Sequence, residues 1–361
     1  MNVIFKKSSK DNYHYRELRK QINHVLKSLP QSRKYKKKYF AIGLPLFYLT
    51  IYVLALQFSS SKILFYSLYS LLGITSVLIF VNIIHDAVHN NIFKSRRTNN
   101  ALILIFDCIG GNSFIWKKRH MLLHHNYQNI PGWDSDIEQA GLIKIFPNEK
   151  ASLINKYQHY FIFLFYPLYL FNWILIRDFK DFFLKNRQIK KVCKIPTFEY
   201  IKLFFFKSFF IFYMAFIPIL LGVEIHVSIT ALCFMFVSGS IFAMLSLLTP
   251  HVNDKNEFPI QDSEGKLNIS WLEHQFITTN DLSLSNWFTR NLMGNFNFHL
   301  SHHLFPKISS VYAQEVTKVI QDYANENGFS YRTYKLTNAL KYHYKLIKAN
   351  ALDLGFFEED M

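Results

Sequence analysis

Long uncharged apolar runs constrain this chain most strongly, because each is long enough to cross a membrane. The hydrocarbon core of a bilayer is about 30 Å thick, and a helix of about 20 residues spans it. Four runs meet this requirement and predict transmembrane helices at about 40–58, 63–84, 203–223 and 227–249. Two other apolar segments are interrupted: 101–116 is short and carries Asp107, and 160–176 contains Pro167. For these two segments we predict re-entrant or interfacial helices.

Positive charge is distributed unevenly along the chain. The formal net charge is +16 although 50% of the 361 residues are hydrophobic. Basic residues precede the first predicted span and fill 177–191, whereas the connections 59–62 and 222–226 hold one lysine between them. Lys and Arg beside spans remain in the cytoplasm, so we predict a multi-pass protein with both termini in the cytosol. Topology and anionic lipids explain these basic runs better than nucleic acid, and we expect no nucleic-acid partner.

The first 38 residues differ in character from the rest. We predict that 1–38 is a basic cytosolic tail and that 39–361 is a single domain. Asp11 is predicted to cap an amphipathic helix in this tail, lying on the membrane surface. The residues that share its apolar face are Tyr15, Leu18, Ile22 and Val25.

Histidines are concentrated in three short motifs of the chain. The motifs are HDAVH at 85–89, HMLLHH at 120–125 and HLSHH at 299–303. They supply eight imidazoles: His85, His89, His120, His124, His125, His299, His302 and His303. Eight imidazoles exceed what one four-coordinate ion uses, so we predict a dinuclear metal site. Imidazole nitrogen suits iron, copper, nickel or zinc, so the ligands alone leave the metal open.

Spacing within the motifs predicts how the imidazoles are shared. Helical residues three or four apart lie on one face, so each of three pairs is predicted to bind one ion. The pairs are His85 with His89, His120 with His124, and His299 with His302. Adjacent histidines diverge by about 100° around a helix and are predicted to reach different ions.

The three motifs can share one site only if they face the same side of the bilayer. Four spans, with 101–116 and 160–176 returning to the side they entered from, place all three on the cytosolic face. We therefore predict an all-α membrane protein with four transmembrane helices, interfacial or re-entrant helices, and a cytosolic helical cap that holds the dinuclear site.

These motifs resemble those of the integral-membrane fatty acid desaturases, especially bacterial acyl-CoA desaturases and front-end desaturases. HDAVH resembles the first histidine box, and WKKRHMLLHHNYQNIPGWDSD resembles the second box with its continuation. WLEHQFITTND and GNFNFHLSHHLFPKIS resemble the region before and around the third box. The resemblance implies two non-haem iron ions and a dioxygen-dependent oxidoreductase that introduces a C=C bond into an acyl chain. The acyl carrier implied is either coenzyme A or a membrane lipid.

Departures from the family pattern leave the position of the new double bond open. His299 replaces the glutamine usual in front-end enzymes, Ser301 replaces a common glutamate, and Gln128 replaces a usual threonine. The chain also lacks a His-Pro-Gly-Gly signature of a fused haem donor. We therefore expect a separate electron donor, either a ferredoxin or a haem cytochrome with its reductase. A bacterial inner membrane is the expected location.

The resemblance also implies a ninth histidine ligand outside the boxes. His251, at the end of the last span, is favoured over His274 for this role. Metal-bound imidazoles usually donate their second N–H to a carboxylate or carbonyl. Asp86, Asp134 and Asp136 are candidates for that contact, although each is equally able to cap a helix or a turn.

Other residues near the second box allow two interpretations each. Trp116, Tyr127 and Trp133 either line the mouth of an acyl channel or belong to an interfacial aromatic belt. A second set consists of the basic residues Lys117, Lys118 and Arg119. These residues either bind the phosphate of a carrier or contribute the positive charge typical of the cytoplasmic side.

Two other classes of protein remain open. A fatty acyl or alkane hydroxylase, or an epoxygenase, would use the same iron ligands. A metal transporter is less favoured, because transport ligands lie near the bilayer midplane.

Overall fold

The structure, a computed structural model, describes residues 3–137, 143–149, 152–283 and 285–352. The first half of the described chain contains β1 (Ile4–Phe5), α1 (Ser9–Ser28), α2 (Tyr35–Gln57), α3 (Lys62–Ile79), α4 (His85–Val88), α5 (Arg96–Cys108), α6 (Ser113–Lys118), α7 (His125–Tyr127), α8 (Gln158–Phe165), α9 (Tyr169–Phe171) and α10 (Asp178–Phe183). The second half contains α11 (Ile189–Val192), α12 (Thr197–Ile211), α13 (Ile217–Leu220), α14 (Ile225–Ala243), β2 (Lys266–Leu267), α15 (Trp271–Thr278), β3 (Asp281–Leu282), α16 (Trp287–Asn291), α17 (His299–Leu304), α18 (Ala313–Asn327), β4 (Thr333–Tyr334) and α19 (Leu336–Leu352). The strands form two short parallel pairs, β1 with β2 and β3 with β4.

Five helical stretches of the described chain are long and apolar enough to cross a membrane. They are Gln31–Gln57, Lys62–Val88, Leu153–Phe183, Thr197–Leu220 and Ile225–His251. Four of them cover the predicted spans except for at most three residues at the C-terminal end, and the predicted all-α membrane fold is confirmed. By length and composition, Leu153–Phe183 is an additional candidate, and it contains the segment 160–176 that the sequence predicts to be interfacial.

The contacts of Leu153–Phe183 favour a helix that enters the membrane and returns. Near its start, the Gln158 side chain donates a hydrogen bond to a backbone carbonyl of α19. Near its end, Asp181 pairs with Arg119, the residue before His120. Pro167 opens a 3₁₀ turn between these ends and interrupts the regular helix. The end of this stretch therefore lies beside the second histidine motif, and its start lies beside α19, which packs against the turn Thr249–His251.

The segment 101–116, for which a re-entrant or interfacial helix is predicted, forms parts of the two helices α5 and α6. The turn between them uses Gly110 at a φ of 94°, a conformation that glycine adopts readily. Asn112 then caps α6 by accepting a hydrogen bond from a backbone N–H. Lys117, in the last turn of α6, donates a hydrogen bond of 2.9 Å to Asn100, in the first turns of α5. The chain therefore returns to the level at which it entered.

Glycines allow α3 and α14 to approach closely. A Cβ atom built on Gly73 would lie 2.0 Å from the backbone oxygen of Met235, and one on Gly239 would lie 2.8 Å from the oxygen of Gly73. Small residues at a helix crossing bring two backbones together in this way. Because α3 leads directly to the first histidine box, this contact fixes the box relative to the last span.

We expect Gly73→Ala to destabilise the protein, because the added methyl group has no space between α3 and α14. Overpacking of a well-packed contact typically costs about 1–3 kcal/mol. The thermal unfolding midpoint in detergent measures the effect. Gly43→Ala is the matched control, since Gly43 is also helical but a Cβ there meets no atom within 4 Å. Equal unfolding midpoints for the two variants would contradict the close contact.

Helix α1 packs against the cap behind the third histidine box. Leu18 and Ile22 are buried in a cluster with side chains of α15, α17 and α18. The hydroxyl of Tyr15 donates a hydrogen bond of 3.3 Å to a backbone carbonyl of α17. Ser8 is the N-cap, because its Oγ accepts a hydrogen bond from the backbone N–H of Asp11. The predicted cap at Asp11 is therefore wrong, and the apolar face of α1 contacts protein.

Candidate metal centre

The first and second histidine motifs and His251 lie at or beside breaks in regular α-helical winding, whereas the third motif lies in the α-helix α17. A π-helical segment, Phe80–Ile84, precedes His85 and another, Arg119–His124, includes most of the second motif. A third π segment and a 3₁₀ turn lead from α14 to His251. Such π segments are rare and occur frequently at functional sites. They rotate the following side chains relative to a regular helix and so change which imidazoles meet.

Four imidazoles form a first group. The group consists of His85, His89, His120 and His302, whose ligand atoms lie within 4.8 Å of one another. The Nε2 atoms of His89 and His120 are 3.2 Å apart. His125 joins this group, because its Nε2 lies 3.1 Å from Nε2 of His120.

Three imidazoles form a second group. The group consists of His124, His299 and His303, again with ligand atoms within 4.8 Å. The Nε2 atoms of His299 and His303 are 3.1 Å apart. The ring of His125 lies 4.7 Å from that of His303, so the two groups are adjacent.

His251 and His274, the two candidates for the ninth ligand, lie in different surroundings. The His251 ring stacks on that of His299 at 4.4 Å. Its Nδ1 contacts the carbonyl of Asn280 at 2.9 Å, and its Nε2 is buried without a partner among the described residues. In His274, Nε2 lies 2.9 Å from the carbonyl of Gln128 and Nδ1 lies 3.2 Å from the Gln275 amide. Only His251 therefore has a nitrogen available beside the two groups.

The grouping differs from the pairing predicted by spacing. His85 and His89 share a group, as predicted, but His299 and His302 belong to different groups. His299 instead pairs with His303, one full helical turn away. In the second motif, His120 and His124 form a third possible metal group together with Asp136, which agrees with the predicted pair. The Nε2 atom of His120 nevertheless lies beside Nε2 of His125, while its Nδ1 lies 3.4 Å from Asp136. Adjacent histidines were predicted to reach different ions, and His302 and His303 do lie in different groups.

Two of the three predicted carboxylates contact histidines. Asp134 lies 3.0 Å from Nδ1 of His124, and Asp136 lies 3.4 Å from Nδ1 of His120. Such contacts fix the tautomer and direct the other nitrogen toward a metal. Asp86 lies farther from a histidine, at 4.0 Å from Nδ1 of His85. It forms a closer ion pair of 3.0 Å with the buried Lys37 and accepts a hydrogen bond from Ser310.

Asp281 is a supporting residue that the sequence analysis did not single out. Its carboxylate accepts a hydrogen bond of 2.8 Å from the backbone N–H of Leu300, in the first turn of the third-box helix. The hydroxyl of Tyr331 donates a second hydrogen bond at 2.9 Å. Burial raises the pKa of Asp281 to about 7, although these hydrogen bonds oppose the shift. The aspartate is visible in the sequence, but its role is not, because a residue eighteen positions before a helix is not recognisable as the cap of that helix.

The histidine cluster is suited to metal binding because most of its imidazoles are held neutral. Burial, followed by repulsion from neighbouring imidazoles, keeps the pKa values of most ligand candidates well below the usual range. This applies to His89, His125, His299, His302 and His303. Burial also acts to lower the pKa of His124, but the carboxylates of Asp134 and Asp136 raise it to about 9. A neutral imidazole offers a lone pair, which a metal ion requires.

Distances in the cluster also fit bound metal. Imidazole nitrogens bind such ions at about 2.0–2.1 Å, so two ligands at right angles are about 3 Å apart. The Nε2–Nε2 separations of 3.1–3.2 Å match this value. The Nε2 atoms of His85, His251 and His302 are buried and have no hydrogen-bond partner among the described residues. The residues present therefore fit a metal centre.

A largely apolar cavity opens beside the histidines. Its volume is about 880 Å³, including the open mouth, and both histidine groups contribute to its wall. A second apolar cavity of about 630 Å³ shares part of the same wall, including Phe80, Tyr169, Trp173 and Phe296. The two cavities therefore lie next to each other, with these residues between them. Ligand sites of this kind are concave and mostly apolar with few polar groups.

Of the three aromatic residues predicted near the channel mouth, the structure places Trp116 in the cavity wall. Its ring stacks on that of His120 at 4.9 Å. Tyr127 and Trp133 pack against each other at 5.0 Å and are not among the residues that line this cavity.

The three basic residues before the second box have different surroundings. Arg119 is fully buried and paired with Asp181 at 2.7 Å, so it does not form a surface phosphate site. Lys117 donates to the side chain of Asn100, and Lys118 lies over the ring of Phe114. The buried Arg119–Asp181 pair joins residues 62 positions apart and has no counterpart in any short sequence pattern.

We expect Asp134→Asn to weaken metal binding by about 10- to 100-fold, the usual effect of losing such a carboxylate contact. The amide retains the shape of the side chain but removes the charge beside His124. Metal analysis of purified protein after competition with a chelator measures the change. Asp322→Asn is a suitable control, because Asp322 is exposed on α18 and pairs with Lys318 at 2.7 Å. Unchanged metal retention in Asp134→Asn would contradict the assigned contact.

The fold and this site together define an integral membrane protein with a histidine-rich centre beside a largely apolar cavity, the arrangement expected of a membrane-bound oxidoreductase. The model of the fatty acid desaturase family matches residues 61–335, well over half of the chain. The chain belongs to the fatty acid desaturase family. The predicted resemblance and the prediction of a membrane fatty acid desaturase are thereby confirmed.

Individual relatives carry more specific names. The chain is 29% identical over 257 residues to an sn-1 linoleoyl-lipid 6-desaturase of Synechocystis sp., covering 70% of this chain and 71% of that protein. It is 28% identical over 308 residues to an acyl-lipid (8-3)-desaturase of Physcomitrium patens, covering 83% of this chain and 63% of that protein. It is 27% identical over 274 residues to an sn-1 linoleoyl-lipid 6-desaturase of Arthrospira platensis, covering 75% and 74%.

Proposed function

We propose that this protein introduces a C=C bond into the acyl chain of a membrane lipid, with dioxygen as oxidant and two non-haem iron ions bound by nine histidines. The observation that carries the proposal is the convergence of all three histidine motifs and His251 on one wall of an apolar cavity. The names of relatives favour a lipid rather than coenzyme A as the acyl carrier.

The geometry supports one division of the ligands. His85, His89, His120, His125 and His302 would bind one ion, and His124, His251, His299 and His303 the other. This division rests on the two groups, on the contact of His125 with His120, and on the stacking of His251 on His299. When bound, redox-active iron supplies the chemistry that activates dioxygen and removes hydrogen from the chain.

The protein's own residues position the acyl chain and exclude water. Trp116 and Phe80 form part of the wall between the two cavities and pack edge to face at 4.8 Å. An extended hydrocarbon chain in these cavities gains apolar contact along its length. Exclusion of water from such a site also suppresses side reactions of reactive species.

Several further features stay predictions. Basic residues beside the spans support cytosolic termini and a cytosolic active site. We propose that a separate ferredoxin, or a haem cytochrome with its reductase, delivers the electrons. A bacterial inner membrane stays the expected location.

Expression in a host that lacks polyunsaturated lipids tests the function. We expect gas chromatography to detect new unsaturated fatty acids with the wild-type protein and none with His302→Ala. His24→Ala is the matched control and should retain the products, because His24 is exposed on α1. Oxygenated products would identify a hydroxylase or epoxygenase instead. Absence of any new species with either donor supplied would contradict the proposal.

A further inference from the structure

The cavity beside the histidines is chemically different at its two ends. Toward the second cavity its wall is formed by apolar and aromatic side chains such as Leu247, Leu248 and Phe296. Gln128, Thr249 and His343 line the first cavity but not the second. An acyl chain has the same asymmetry, since its hydrocarbon tail is apolar and its carbonyl accepts hydrogen bonds.

Gln128 is held rigidly in this wall. Its side chain is 2% exposed, and its Oε1 accepts a hydrogen bond of 2.8 Å from the hydroxyl of Thr279. The ring of His274 contacts its backbone carbonyl at 2.9 Å. With Oε1 engaged by Thr279, the orientation of the amide is set. Nε2 then has no partner among the described residues, and its N–H groups remain available to a ligand.

The neighbouring polar groups of the wall are already engaged. His343 contacts the carbonyl of Val252 through Nδ1 and the hydroxyl of Tyr166 through Nε2. The hydroxyl of Thr249 donates to the carbonyl of Met244 at 2.8 Å. A buried amide with a free donor is costly unless a ligand or water satisfies it. Gln128 is therefore the donor on this side of the cavity that is best placed for a ligand.

We propose that the side-chain amide of Gln128 donates a hydrogen bond to the carbonyl oxygen of the bound acyl chain. This inference rests on the proposed function and adds a residue that determines substrate selection. The carbonyl would lie at the Gln128 end of the cavity, and the methyl end would extend past the histidines toward Phe106 and Ile109. The distance from Gln128 to the histidines would then determine how many carbon atoms separate the carbonyl from the new double bond. Thr279 and His274 act as positioning residues for Gln128.

Paired lipid substrates test this contact. One lipid carries its chain through an ester, and the other carries the same chain through an ether, which has no carbonyl. The iron-loaded wild-type protein in membranes should prefer the ester in kcat/KM by about tenfold, the value of one net hydrogen bond of roughly 1–1.5 kcal/mol. Gln128→Met has nearly the same shape but no N–H, and should lower this preference to about one, mainly by raising KM for the ester.

Two variants and one measurement separate the alternatives. Tyr169→Phe is the matched control, because Tyr169 lines both cavities and its hydroxyl makes no hydrogen bond to another described residue. Tyr169→Phe should retain the ester preference. If Tyr169→Phe lost the preference while Gln128→Met kept it, the carbonyl would lie at the opposite end of the cavity, and the inference would be overturned. Iron content equal to wild type in Gln128→Met excludes damage to the metal centre. If the wild type forms product with an ester-to-ether ratio near one, this inference fails while the proposed function stands; if the wild type forms no product, the proposed function fails.

Discussion

Replacement of His251 by alanine is expected to abolish desaturation and to remove about half of the bound metal. His251 stacks on His299, and its Nδ1 contact with the Asn280 carbonyl leaves Nε2 directed at the second histidine group. Without this imidazole, the remaining three nitrogens of that group would bind an ion more weakly. Metal analysis of purified protein, together with product analysis in cells, measures both effects.

His274→Ala provides the contrasting variant. Both nitrogens of His274 are engaged by Gln128 and Gln275, so we expect this variant to retain its metal. Its activity is expected to fall through displacement of Gln128. If His274→Ala lost metal while His251→Ala kept it, the assignment of the ninth ligand would be wrong.

Asp181→Ala is expected to destabilise the protein by about 3–5 kcal/mol, the usual cost of removing one partner of a buried ion pair. Asp181 accepts hydrogen bonds of 2.7 Å from both Arg119 and Arg187. Arg119 is fully buried, so its charge would be left without this counter-ion. Thermal unfolding in detergent measures the loss, and the midpoint should fall by several degrees.

Glu17→Ala is the control for Asp181→Ala. Glu17 pairs with Lys20 at 3.8 Å on the exposed surface of α1, where the Lys20 side chain is 80% exposed. Surface ion pairs contribute little to stability, so the unfolding midpoint should scarcely change. A similar fall of the unfolding midpoint in both variants would contradict the large contribution to stability expected from the buried ion pair of Asp181.

Much of the membrane architecture was predictable because it depends on local composition. An apolar run of about 20 residues can satisfy its backbone in lipid only as a helix, wherever the rest of the chain lies. The re-entrant segment 101–116 was also predictable, since Gly110 and Asp107 interrupt a run that is too short to cross. The location of α1 was not predictable, because an amphipathic helix has the same pattern of apolar residues whether its apolar face contacts lipid or protein.

The sequence by itself determined which histidines belong to the site, since their spacing and clustering are local properties. Only the tertiary structure decided how they are shared. The π-helical winding of Arg119–His124 brings His120 to His125, and the sharing of His299 with His303 depends on how α17 is docked. The choice of His251 over His274, the cap from Asp281 and the buried Arg119–Asp181 pair join residues far apart in sequence. Helical winding and long-range contacts are set by packing among many elements, which no short sequence pattern encodes.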